Sequence, residues 1–428
     1  MESPRAQKQP FHPSVADYLR KRGAAAPWRI HHESSRLHDA AVVIPALAES
    51  NNLPLTLGSL LQNPQQLLER TLIVVVVNQR SDASTTEKDD NLLTLDMLPH
   101  WKREFGLANL AWVDAASAGN ELAPRQGVGL ARKIGLDLAL PMLSCETRDP
   151  LLICLDADTL VQPDYLPAIF RHFNHAVAGG ACIPYRHQQA GSDAGQTAID
   201  RYELFLRAYV FGLQLAASPY AFHTVGSAMA CRASAYIKAG GMNRRLAGED
   251  FYFLQQLHKT AGVEQVTGTV VFPSPRSSLR VPFGTGRAVG DMLAEGTGHF
   301  LFYQPAVFEI VKEWLHYVST AHTEDGTAIL SHAARITPVL SDFLVQAGFN
   351  GAWDNLRRHN PPGARLDSAF NAWFDAFRTM KLIHFLCDNG YQRVSPDEAI
   401  PPLLESGGYE VPPDMSSRLE LLRRLQKT

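Results

Sequence analysis

The chain is poor in cysteine, with five in 428 residues. Cys145, Cys154, Cys182, Cys231 and Cys387 form no Cys-x-x-Cys pair, and their odd count argues against a disulfide framework. Two of them sit inside apolar, strand-like runs, so the cysteines read as reduced, buried thiols of a cytosolic protein. No run reaches eighteen apolar residues, and no membrane span is expected. The N-terminus, Met1-Glu2-Ser3-Pro4-Arg5, lacks the apolar core of a signal peptide. The expected location is the cytoplasm, and peripheral contact with a membrane surface is compatible with it. Net charge is also small, at −3 with neutral histidines. With no basic stripe, that excludes nucleic acid as the main partner. The 16 histidines are scattered without a zinc-ligand spacing. No internal repeat or low-complexity tract is present.

What remains is an ordinary globular composition, 45% hydrophobic and 19% charged, with enough chain for a sizeable core and more than one domain. Residues 1–38 are polar and read as a loosely docked extension with a short helix near Val15–Lys21. From about 39 to 180, apolar runs alternate with helical patterns, within a domain expected to span 39–290. Strands are expected at 40–45, 71–77, 110–114 and 151–155, and helices near 53–61, 92–105 and 126–140. That alternation predicts an α/β fold with a mainly parallel, helix-covered sheet. Residues 83–92 read as an exposed loop, 263–272 as one strand and 274–290 as a loop. From 291 to 428 the pattern is helical only, which predicts a separate α-helical module.

The most informative stretch is Leu151-Leu152-Ile153-Cys154-Leu155-Asp156-Ala157-Asp158-Thr159. A short apolar run of this kind forms a strand buried on both faces. Ligands of open α/β sheets bind at the carboxyl ends of strands, where these two acids stand. In extended geometry Asp156 and Asp158 point to one side, and such a pair suits Mg²⁺ or Mn²⁺ carrying a diphosphate. Taken alone, the same residues read equally well as a solvated strand-to-helix loop. Glu249-Asp250 taken alone is an ordinary acidic first turn.

Read together, Val43-Ile44-Pro45-Ala46-x-x-Glu49, Val77-Asn78, Gly129-x-x-Arg132, Asp156-Ala157-Asp158, Gly226-Ser227-x-Met229-Ala230 and Gly248-Glu249-Asp250 resemble the inverting family 2 glycosyltransferases of the GT-A fold. The resemblance covers roughly residues 40–275. It implies a metal-dependent enzyme that moves a sugar from a nucleotide-sugar donor, with UDP favoured, to an acceptor hydroxyl. By that resemblance Pro45, Ala46 and Glu49 border the nucleoside. Asn78 stands where the family usually has an acid, which Asp82 could replace. Arg132 contacts the donor, Asp156 and Ala157 face its ribose or sugar, and Asp158 with Asp156 holds the metal. Asp250 is the general base with Glu249 beside it, and Gly226-Ser227 lies at the acceptor. The loop 275–287 carries three arginines, of which Arg280 is expected at the diphosphate because guanidinium suits bidentate phosphate contact. It lacks the histidine that related enzymes place there, leaving donor oxygens, water or His299 to complete the metal. Two rival readings are a retaining enzyme resembling the mannosylglycerate and glucosyl-phosphoglycerate synthases, and a non-catalytic sugar-nucleotide-binding scaffold.

Overall fold

The computed structural model describes residues 13–24, 26–32, 36–146, 148–278 and 284–427. The chain divides into two compact units: one runs to Gln188 and includes Thr224–Ser274, the other comprises Gln189–His223 and Pro275 onward.

Among the described residues the first unit has ten strands: β1 (Ile30–His31), β2 (Ala40–Ala46), β3 (Thr71–Asn78), β4 (Leu110–Ala115), β5 (Leu151–Cys154), β6 (Leu160–Val161), β7 (Gly180–Cys182), β8 (Met229–Arg232), β9 (Val263–Gln265) and β10 (Val271–Phe272). Eight of them form one sheet in the order β1-β4-β3-β2-β5-β8-β7-β9. Its centre, β4-β3-β2-β5, is parallel, while β8 runs antiparallel to both β5 and β7. This is the expected α/β class: a mainly parallel sheet flanked by helices, with a helical part of the chain beyond it. Every residue of β2 and β3 is buried, which explains why both read as continuous apolar runs rather than alternating ones.

Pro45 does not end β2, as its position in the sequence predicts; the strand continues to Ala46. Residues 43 and 45 face the same neighbour, because backbone groups alternate sides along a strand. The ladder to β5 closes with Leu155 N donating to Val43 O, so the donor that proline lacks falls where β5 has already stopped.

Helix Val128–Ala139 lies across β2 and β3. A Cβ at Gly135 would come within 2.8 Å of Val76 Cγ2 and closer still to Val43, so glycine sets how near this helix approaches.

Other expectations need correction. Residues 85–91 are helical, not loop: helix Thr85–Glu104 starts at a capping box in which Ser84 and Glu87 satisfy each other's backbone N–H. The strand expected at 263–272 is two short ones, and residues 285–290 belong to helix Thr285–Glu295. The N-terminal segment is tied to the sheet unit rather than loosely docked. Helix Pro13–Arg22 inserts Tyr18, which donates to Asp137 Oδ1 at 2.8 Å and accepts from Lys133 at 2.9 Å. Strand β1 then pairs with β4.

In the second unit, helix Asp193–Leu215 packs with the helices from Pro305 onward through Leu204, Phe211, Phe308, Val311 and Trp314. Its packing face therefore places it with the helical part of the chain, not with the sheet as the 39–290 boundary expects. Pro338 separates helix Gly326–Ile336 from helix Pro338–Gln346. No described helix is long and apolar enough to cross a membrane. All five cysteines are free, and Cys154, Cys182 and Cys231 are buried as expected, but Cys145 is exposed.

Candidate active site

The Asp-x-Asp residues follow β5 directly, but they lie in a turn rather than in extended chain, with Thr159 N donating to Asp156 O at 3.1 Å. The alternation that would put both carboxylates on one side therefore does not apply. Instead the turn is pinned from its flanks. Thr56 Oγ1 donates to Ala157 O at 2.8 Å, and Ser59 Oγ accepts from Val161 N at 3.1 Å. On the other side Gln188 Nε2 donates to Asp158 O at 2.9 Å and to Phe272 O at 2.7 Å. Ala157 is buried, and both aspartates are partly exposed.

Arg132 is the hub. Its side chain is 2% exposed, and its two terminal nitrogens donate separately, one to Asp156 Oδ1 and one to Glu249 Oε1. Burial disfavours the guanidinium charge, but Asp156, then Glu249 and Asp250, outweigh it and raise its pKa. Two glycines allow this assembly. A Cβ at Gly129 would lie 3.0 Å from both Asn243 O and Arg245 N, so only glycine lets the 243–246 segment reach the Arg132 helix. A Cβ at Gly226 would lie 3.0 Å from Arg132 Cζ and nearer to a terminal nitrogen. Ser227 is buried next to it, and neither Ser227 Oγ nor Arg132 Nε has a hydrogen-bond partner among the described residues.

Helix Glu249–Ala261 begins at Gly248, in the left-handed conformation with φ +68°. Asn243 Nδ2 donates to Glu249 O at 2.7 Å, fixing this start. Burial pushes the Glu249 carboxyl up to about 7, with Arg132 opposing and Asp250 adding to the rise. Asp250 accepts from Phe251 N at 2.7 Å, and burial raises its carboxyl too, against the pull of Arg132. Three carboxylates thus surround one guanidinium, and the surplus negative charge favours either a retained proton or a cation.

At the carboxyl ends of β2 and β3, Pro45 and Ala46 are buried. Asn78 Nδ2 donates to Ala46 O at 3.0 Å and Val76 O at 3.1 Å, so its amide fastens the two strand ends together. Glu49 is buried and accepts from Asn52 Nδ2 at 2.8 Å. Asp82 is exposed and pairs with Arg80 at 3.0 Å. Arg280 lies outside the described residues. Arg287, from the same segment, is on a helix and pairs with Asp291 at 2.9 Å.

Residues 151–295 match the family model for glycosyl transferase family group 2. This stretch is similar to that family. It covers about a third of the chain and contains Asp156, Ala157, Asp158, Gly226, Ser227, Glu249 and Asp250. Arg132, β2 and β3 lie upstream of the matched segment and meet it through the contacts above. No curated protein matches the chain. Among solved structures, the chain is similar to S. aureus TarS residues 1–349 in complex with UDP-GlcNAc, at 12% identity and TM-score 0.37, covering 80% of this chain and 92% of that one. It is also similar to the mannosyltransferase PcManGT of Pyrobaculum calidifontis in complex with GDP-Man and Mn²⁺, at 13% identity and TM-score 0.38, covering 96% of this chain and 92% of that one.

Several residues that shape the matched segment escaped the sequence reading. Thr56, Gln188 and Asn243 act through one or two hydrogen bonds each from loops or helix faces, and no periodic pattern marks them. Asp114 had a readable signal, an acid ending the apolar strand β4 much as Asp156 follows β5. Burial would raise its carboxyl, but Ser117 N and Ala116 N donate to it at 2.8 and 3.0 Å and hold it low.

Proposed function

We propose that the sheet unit transfers a sugar from a nucleotide-sugar donor, UDP favoured, to an acceptor hydroxyl with inversion. The reading is supported above all by Arg132, which joins the acid after β5 to the acid pair starting helix Glu249–Ala261. Residues far apart in sequence thereby share one charged centre. Asp250 takes the proton of the acceptor hydroxyl as its oxygen bonds to the anomeric carbon. The bond from that carbon to the diphosphate breaks, and the leaving group carries its electron pair away. The raised carboxyl of Asp250 suits a base, since proton affinity closer to neutrality improves transfer. Glu249 holds Arg132 in place and is a positioning residue.

The surplus of carboxylates around Arg132 fits a divalent cation. Among the described residues no group of three or more His, Cys, Asp or Glu side chains is placed to ligate one. Asp158, with Asp156 beside it, would hold Mg²⁺ or Mn²⁺ and leave its other positions to donor oxygens and water, the usual habit of these ions. When bound, the ion supplies Lewis-acid charge to the departing diphosphate. Pro45, Ala46, Glu49 and Asn78 border the nucleoside, and Gly226-Ser227 borders the acceptor.

The test is Asp250→Asn assayed with a panel of nucleotide sugars and Mn²⁺. We expect donor affinity near wild type with transfer lost, and a product of inverted anomeric configuration. Wild-type turnover in this variant would overturn the assignment, and a retained configuration would overturn inversion. Stronger competition by GDP than by UDP would overturn the donor preference.

A further inference from the structure

The helical unit contains a cleft of about 390 Å³ lined by His322, Thr323, Asp354, Arg357, Arg358 and Leu366, among others. Its lining carries two guanidiniums against one carboxylate. Arg357 is half-buried, and one of its terminal nitrogens donates to Thr323 O at 3.0 Å, which orients the fork and leaves its other donors unspent. Arg358 is exposed and has no ion-pair or hydrogen-bond partner among the described residues, not even Asp354 one turn earlier on the same helix, Phe349–His359. His322 is held by Asp367 at 2.6 Å, so it is oriented rather than free to swing. Leu366 is buried and supplies an apolar floor. An oriented guanidinium beside an unpartnered one, over an apolar wall, is the arrangement that grips a small tetrahedral anion with an organic substituent.

We propose that this cleft binds a phosphomonoester, through Arg357 and Arg358, as a second ligand site separate in residues from the sugar-transfer centre. Either a free phosphorylated metabolite or the headgroup of an anionic lipid carries that chemistry. Arg357 and Arg358 contact the phosphate oxygens, and Asp354 sets a limit on affinity by opposing its charge.

The experiment uses the full chain with UDP and Mn²⁺ at saturating concentration, so that the sheet unit contributes no phosphate binding. Inorganic phosphate is titrated by calorimetry in one arm. In the other, co-sedimentation is measured with vesicles of phosphatidylcholine containing phosphatidic acid. Wild type should bind in at least one arm, and which arm responds identifies the source. Arg358→Gln, at an exposed position that the fold does not need, should weaken binding by about tenfold, the loss of one charge-assisted contact. Asp354→Asn should tighten it. Binding that Arg358→Gln and Asp354→Asn leave unchanged, or no binding by wild type in either arm, overturns the proposal. Sugar transfer by Arg358→Gln should match wild type with a soluble acceptor, so failure here and failure of the transfer reading are distinguishable.

Discussion

Arg132 and Glu249, 117 residues apart, form an ion pair in which both side chains are almost wholly removed from water. Removing one partner of such a pair leaves the other buried and uncompensated. Arg132→Met should therefore cost roughly 3–5 kcal/mol of stability at pH 8. The cost should be smaller at pH 5, where Glu249 can be neutral. Urea denaturation at the two pH values checks this, and an equal cost at both would contradict it.

Glu249 also sets a pH dependence. Its carboxyl rises from 4.5 to about 7 on folding, burial being the main cause. A group that holds its proton more tightly when folded contributes stability fully below the unfolded value, and that contribution is lost as pH rises through the folded value. Between pH 4.5 and pH 7 the wild type should therefore lose stability relative to Glu249→Gln. A gain across that window would mean that pairing with Arg132 outweighs burial.

Gly226→Ala places a methyl group against the Arg132 guanidinium. Overpacking of this kind costs about 1–3 kcal/mol. Here the guanidinium must also shift away from Asp156 or Glu249. Transfer should fall by more than stability alone explains, measured as kcat/KM below the melting transition. Full activity would show that the Gly226-Ser227 segment lies outside the working centre.

Gln188→Ala removes both hydrogen bonds that hold the Asp158 carbonyl and Phe272. The expected loss is about 1–2 kcal/mol of stability. Because the turn carries Asp158, KM for the donor should rise while kcat changes little. A drop in kcat at unchanged KM would place Gln188 elsewhere in the reaction.

Tyr18→Phe leaves Asp137 without one of its two tyrosine hydroxyls, the other being Tyr236 at 2.6 Å. Lys133 loses a hydroxyl acceptor at the same time. A stability loss of about 1–3 kcal/mol is expected with kinetic constants retained, because Lys133 and Asp137 bond to Tyr18, Tyr236 and each other rather than to Asp156 or Glu249. Loss of activity at constant stability would be the contrary result.

How much of this was readable from the chain depends on the range of each interaction. Strands β2, β3, β4 and β5 were legible because burial on both faces demands uninterrupted apolar residues, and that demand is local. The acids after β5 and at the start of helix Glu249–Ala261 were legible for the same reason, each standing at the end of a recognisable element. The capping box at Ser84 and Glu87 is present in the sequence, but a polar stretch of this kind is equally compatible with a loop.

Local residue order was enough to set the alternation of apolar runs and helices, hence the parallel sheet, and the residue types from which a charged centre could be made. It took the packing of distant elements to make Arg132 join Asp156 to Glu249, Asn78 tie strand ends, and Thr56 and Gln188 hold the Asp-x-Asp turn. Periodicity records which face of an element avoids water. It carries no record of which distant polar atom each buried donor meets, because that partner is set by how glycine-thin helices and loops approach one another in three dimensions.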